Sequence, residues 1–135
     1  MDTSAFVAGH QLIQALETHS SPIACDFDLV LFRQGDAPTG IFILYYGSAT
    51  LTMTSVTGET VLRMESGAGS VLGLPGLIGN RPYSLTATAH QGAHVGFVSR
   101  EKFTEILANE PLLSRKVLEV LAAEVLTARR AILEH

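Results

Sequence analysis

The chain has 135 residues, enough for one domain, and its 47% hydrophobic against 16% charged composition excludes a disordered segment. Its net charge is −4 and its nine basic residues, from Arg33 to Arg130, are scattered along the chain, which argues against direct nucleic-acid binding through this segment. A lone Cys25 excludes an internal disulfide, Met1 to His10 lack the marks of a signal peptide, and no apolar stretch reaches the about 20 residues that cross a bilayer. A cytoplasmic domain without membrane contact is therefore expected.

In chain order, Phe6, Val7, Leu12, Ile13, Ala15 and Leu16 are spaced as on one face of a short amphipathic helix over residues 5–18, which Ser20-Ser21-Pro22 ends. From there to Ser99 short apolar runs alternate with turn residues. The predicted strands are Val30 to Phe32, Ile41 to Tyr46, Ala49 to Val56, Val61 to Met64, Ser84 to Ala89 and Val95 to Val98. Strands this short at this spacing predict a sandwich or jelly-roll barrel. The period then changes. Ser99 can cap a short helix whose apolar face is Phe103, Ile106 and Leu107, and Pro111 opens a longer helix free of Gly and Pro from Leu112 to Ile132.

The expected fold class is thus α+β: an antiparallel jelly-roll β-barrel with an N-terminal helix, a short helix and a long C-terminal helix. The expected single domain covers residues 1–132, with a helical segment at 1–21, the barrel at 22–98 and the C-terminal helices at 99–132. Leu133-Glu134-His135 reads as the remnant of an appended histidine tag, with the natural chain free to continue beyond Ile132.

Two motifs carry most of the meaning. The first runs from Phe32-Arg33-Gln34-Gly35-Asp36 through Ile41-Phe42-Ile43-Leu44 to Tyr46-Gly47. Gly35 and Gly47 suit positive φ at tight corners, and Asp36 can bond its own turn backbone. The second is Gly73-Leu74-Pro75-Gly76-Leu77-Ile78-Gly79-Asn80-Arg81-Pro82-Tyr83-Ser84. Together they resemble the barrel signature and phosphate-binding cassette of the cyclic-nucleotide-binding effector domains of the Crp/Fnr transcription regulators.

In that family the cassette opens with Gly-Glu, and an Arg followed by a small residue comes later. The glutamate holds the ribose hydroxyl, while the arginine and backbone N–H groups hold the cyclic phosphate. Here Gly73 matches the Gly and Ser84 the small residue, but Leu74 stands at the glutamate position and Tyr83 at the arginine position. The resemblance implies a degenerate ligand-binding cassette of Gly73, Leu74, Pro75, Gly76, Arg81, Tyr83 and Ser84. Arg81, two residues before Tyr83, is either a substitute phosphate partner or a solvated loop residue.

Along the long helix Leu118, Leu121, Val125, Ala128 and Ile132 recur at the alternating spacing of a coiled-coil seam. Leu113, Val117, Val120 and Ala131 fall off that seam, so the helix has apolar surface enough to cover its own domain and meet a partner. A homodimer through this helix is expected, and the resemblance points the same way. In the family that helix leads to a DNA-binding helix-turn-helix, which this sequence does not contain, so DNA would be reached only through an absent C-terminal module.

His10, His19, His90 and His94 include no His-x-His pair of the kind that metal-dependent cupin enzymes carry on a similar barrel. A single Cys25 is more simply a small core residue than a haem ligand. Neither a Gly-x-Ser-x-Gly elbow nor a spaced Ser/His/Asp set occurs. The reading is a sensor domain for an unknown small-molecule effector, with no catalytic residues, metal or cofactor, and not an enzyme. A cupin-like metal enzyme or a ligand-free dimerisation module is the alternative.

Overall fold

A computed structural model describes the backbone of residues 10–133, and the side chains of residues 11–122 and 126 within it. The elements follow as α1 (His10–Glu17), β1 (Ser21–Ala24), β2 (Leu29–Phe32), β3 (Gly40–Tyr46), β4 (Ala49–Thr54), β5 (Thr60–Ser66), β6 (Ser70–Leu72), α2 (Leu74–Gly79), β7 (Thr86–Ala89), β8 (His94–Ser99), α3 (Arg100–Asn109) and α4 (Pro111–Leu133). The strands form two antiparallel four-stranded sheets, ordered β1-β8-β3-β6 and β2-β7-β4-β5. They face one another as a jelly roll whose hydrogen bonding stays within each sheet, so the expected barrel is an open-sided one.

The patterning of each sheet shows what covers it. In β3 alternate side chains point to opposite faces. Phe42 and Leu44 enter the core between the sheets, where they meet Phe32, Leu51, Leu62, Met64, Leu72 and Tyr83. Ile41 and Ile43 point the other way, into a layer built with Leu12 and Leu16 of α1, Leu74 and Leu77 of α2, Phe103 and Ile106 of α3, and Leu113, Val117 and Val120 of α4. A strand buried on both faces reads as a continuous apolar run, and this one does. In β4 and β5 the inward Leu51, Leu62 and Met64 alternate instead with Thr50, Thr52, Arg63 and Glu65. That alternation marks the sheet whose outer face is largely open, α4 reaching it chiefly at β5.

Gly35 and Gly47 both have φ of 92°, the left-handed conformation expected of them, and Asp36 accepts a hydrogen bond from Arg33 N–H at 3.3 Å across its turn. Ser99 caps α3 by accepting from the Lys102 N–H. Several boundaries differ from expectation. The described part of the first helix is His10–Glu17, and Phe6 and Val7 lie outside the described residues. β4 ends at Thr54, because Ser55 to Gly58 close a turn that leaves Val56 fully exposed. β7 begins only at Thr86, since Tyr83 to Leu85 form the return arm of the cassette. Cys25 directly follows β1 and is buried, as a small core residue. Among the described residues no helix is long and apolar enough to cross a membrane.

Candidate ligand-binding cassette

β6 ends at Leu72, and Gly73 turns the chain with φ of 89° into α2, where Pro75 sits in the first turn. The helix lasts six residues and closes on Asn80, at φ of 50°, whose N–H bonds back to the carbonyls of Gly76 and Leu77. Arg81 N–H bonds to the Gly76 carbonyl at 3.0 Å, and the chain then passes through Pro82 to Tyr83. There it is strapped to the first sequence motif. Tyr83 N–H donates to Asp36 O at 2.9 Å, Gly35 N–H to Tyr83 O at 2.8 Å, and Gln34 N–H to Thr86 Oγ1 at 2.9 Å. The fold thus joins two stretches that in sequence are only neighbours of the same barrel.

The two positions that lack the expected charges are both buried. Leu74 is 1% exposed and packs in the helix-side layer, while Tyr83 is 3% exposed and packs between the sheets. The Tyr83 ring stacks on Phe32 at 4.1 Å between centroids. Its hydroxyl donates to the Gly40 carbonyl at 2.8 Å and accepts from Thr39 N–H at 3.1 Å and Gly40 N–H at 3.3 Å. Gly76 is buried beneath it, and Pro75 and Gly73 are half-buried, whereas Arg81 and Ser84 are exposed.

Arg100, not singled out in the sequence, does more for the cassette than Arg81. Its guanidinium donates to Asn80 Oδ1 and to the Pro38 carbonyl, each at 2.8 Å, so the first residue of α3 braces the cassette's end. The only local clue was its place beside the Ser99 cap, because both its partners are brought up by tertiary structure.

On α4, Leu113, Val117 and Val120 are buried against their own domain, Leu121 is half-buried and Leu118 is 58% exposed. Val125, Ala128 and Ile132 lie in the helix, but their side chains are outside the described residues.

Among the described residues His90 and His94 do not converge. His90 Nε2 lies 2.7 Å from Thr50 Oγ1 and 3.3 Å from Glu65, and its Nδ1 lies 3.8 Å from Asp28, so both ring nitrogens face partners. His94 instead packs edge-on against Tyr46. Among the described residues no group of His, Cys, Asp and Glu is arranged to hold a metal. Burial, and then Asp26, push the Cys25 thiol above its ordinary range, which disfavours the thiolate that a nucleophile or metal ligand needs.

Residues 28–110 match the family model described as "Cyclic nucleotide-binding domain". No relative matches among curated proteins. Solved structures do. The catabolite activator protein of Thermus thermophilus is similar at 20% identity with a TM-score of 0.74, over 93% of this chain and 58% of that one. The global regulator CLP of Xanthomonas campestris, described as c-di-GMP responsive, is similar at 14% identity with a TM-score of 0.75, over 93% of this chain and 62% of that one. A cyclic nucleotide-binding domain from Methylobacillus flagellatus is 26% identical with a TM-score of 0.69, over 90% of this chain and 67% of that one. The chain therefore spans about three fifths of the length of the two regulators.

Proposed function

This chain belongs to the cyclic nucleotide-binding domain family, and from that membership we propose that it is the sensory regulatory domain of a Crp/Fnr-type transcription regulator that does not take cyclic AMP or cyclic GMP in the family's usual way. The observation that carries this reading is the pair Leu74 and Tyr83, both buried at the positions where the family places a glutamate and an arginine. A cyclic phosphate sheds water on entering a protein interior, and the loss is offset only where charge-assisted hydrogen bonds replace that water. The Leu74 side chain donates none, and the Tyr83 hydroxyl is already spent on Gly40 and Thr39. That one structural neighbour is described as c-di-GMP responsive fits a fold whose ligand varies between members.

The output proposed is a homodimer through α4, with DNA bound by a module outside this chain. The surface of α4 supports it: Leu113, Val117 and Val120, off the coiled-coil seam, are buried by their own domain, Leu121 on the seam is half-buried against it, and Leu118 on the seam is left open.

The double change Leu74→Glu with Tyr83→Arg tests the assignment of the cassette. Two charge-assisted contacts at roughly 1.5–3 kcal/mol each, against about 1 for a neutral one, should raise cyclic AMP affinity by roughly two to three orders of magnitude. The variant should melt lower than the wild type without ligand, because both new charges enter buried positions. Cyclic AMP should raise its melting temperature and leave that of the wild type unchanged. A folded variant that ignores cyclic AMP would show that this loop is not the family's cassette.

A further inference from the structure

We propose that Tyr83 acts as an internal ligand: its phenol fills a seat shaped for a neutral hydroxylated aromatic ring, and so holds the cassette docked without a diffusible nucleotide. The inference rests on the reading above that nucleotide is not the occupant. The seat has a floor, walls and a polar end. Its floor is the ring of Phe32, stacked at 4.1 Å and 25° from parallel. Its walls are two glycines, since a Cβ on Gly73 would stand 3.0 Å from Tyr83 Cε1, and one on Gly76 3.2 Å from Cδ1. Both contacts are tighter than ordinary packing, so even an alanine at either position would crowd the ring.

The polar end sets the chemistry. A hydroxyl has one proton to give and two lone pairs to fill. Here Gly40 O takes the proton, while the N–H groups of Thr39 and Gly40 supply the two lone pairs. The seat is therefore saturated by one neutral hydroxyl. An anionic oxygen there would face the Gly40 carbonyl oxygen across 2.8 Å with no proton between them. Phosphates are rejected and phenols accepted. These contacts join residues 43 and 44 positions apart, and the backbone bonds between Tyr83 and Gly35 and Asp36 add a second tie. One side chain thus spans the two motifs that a bound ligand would otherwise have to bridge.

Vacating the seat tests this directly. Tyr83→Ala should melt below the wild type, and phenol should raise its melting temperature saturably at about millimolar concentration. Benzene, of the same shape without the hydroxyl, should bind at least about tenfold more weakly, and phenyl phosphate should have no effect. The wild type should respond to none of the three. Failure of phenol to stabilise the folded variant, or equal rescue by phenyl phosphate, would overturn the proposal. If Tyr83→Ala does not fold, Tyr83→Phe keeps the ring and decides the matter: the Thr39 and Gly40 amides should exchange at least about tenfold faster than in the wild type, with the rest of β3 unchanged. Unchanged exchange would overturn it equally. Micromolar binding of cyclic AMP by the wild type would contradict the regulatory reading instead, and leave the phenol result to stand or fall alone.

Discussion

Leu118→Glu should convert a dimer paired through α4 into a monomer and leave the domain folded. Leu118 is 58% exposed in the single chain, so a glutamate there costs the fold little. In a two-fold pairing each copy presents the same surface, and one substitution therefore acts twice. A carboxylate left unpaired in an apolar seam costs roughly 3 kcal/mol or more, which is about two orders of magnitude in the dissociation constant. Light scattering at micromolar concentration should give twice the 14.4 kDa chain mass for the wild type and the single mass for the variant. A monomeric wild type would contradict the pairing. Val117→Glu, one residue away but 3% exposed, should unfold the domain instead, because its charge enters the helix-side layer.

Gly40→Ala should destabilise by about 3 kcal/mol or more, although it adds only one methyl group. A Cβ at Gly40 would overlap the Val98 carbonyl of the paired strand and lie 2.7 Å from Cε1 of Phe97. The carbonyl belongs to the β3–β8 ladder, in which Ile41 pairs with Val98, and cannot rotate away as a side chain would. Any shift of β3 also strains the three hydrogen bonds that the Tyr83 hydroxyl makes, one donated and two accepted, since two of them involve Gly40 itself. Denaturant unfolding should show the loss in the midpoint with an unchanged slope. Near-wild-type stability would mean that the seat and the ladder are looser than their geometry implies.

Much of this architecture was legible in the residues. The continuous run Ile41 to Tyr46 and the alternation of Leu51 and Met53 with threonines are what a doubly covered and a singly covered strand require. Gly35, Gly47 and Ser99 announced their turns and cap through chemistry that acts over two or three residues. What escaped was set by distance. β6 has only three residues, too few for a period to show, and β1 carries a proline that reads as a break. Tyr83 could be read as standing in the arginine position, but its partners, Gly40 at the start of β3 and Thr39 just before it, lie more than forty residues away. Arg100 was one basic residue among nine until the fold set it against Asn80 and Pro38.

Titration of the wild-type chain with cyclic AMP in a calorimeter shows whether the cassette takes nucleotide. With Leu74 apolar and the Tyr83 hydroxyl already bonded within the chain, neither side chain at the two key positions is free to meet a phosphate or a ribose hydroxyl. No saturable heat is expected below about millimolar ligand. Saturation at micromolar concentration would mean that the cassette still takes a cyclic nucleotide, with the exposed Arg81 as the phosphate partner.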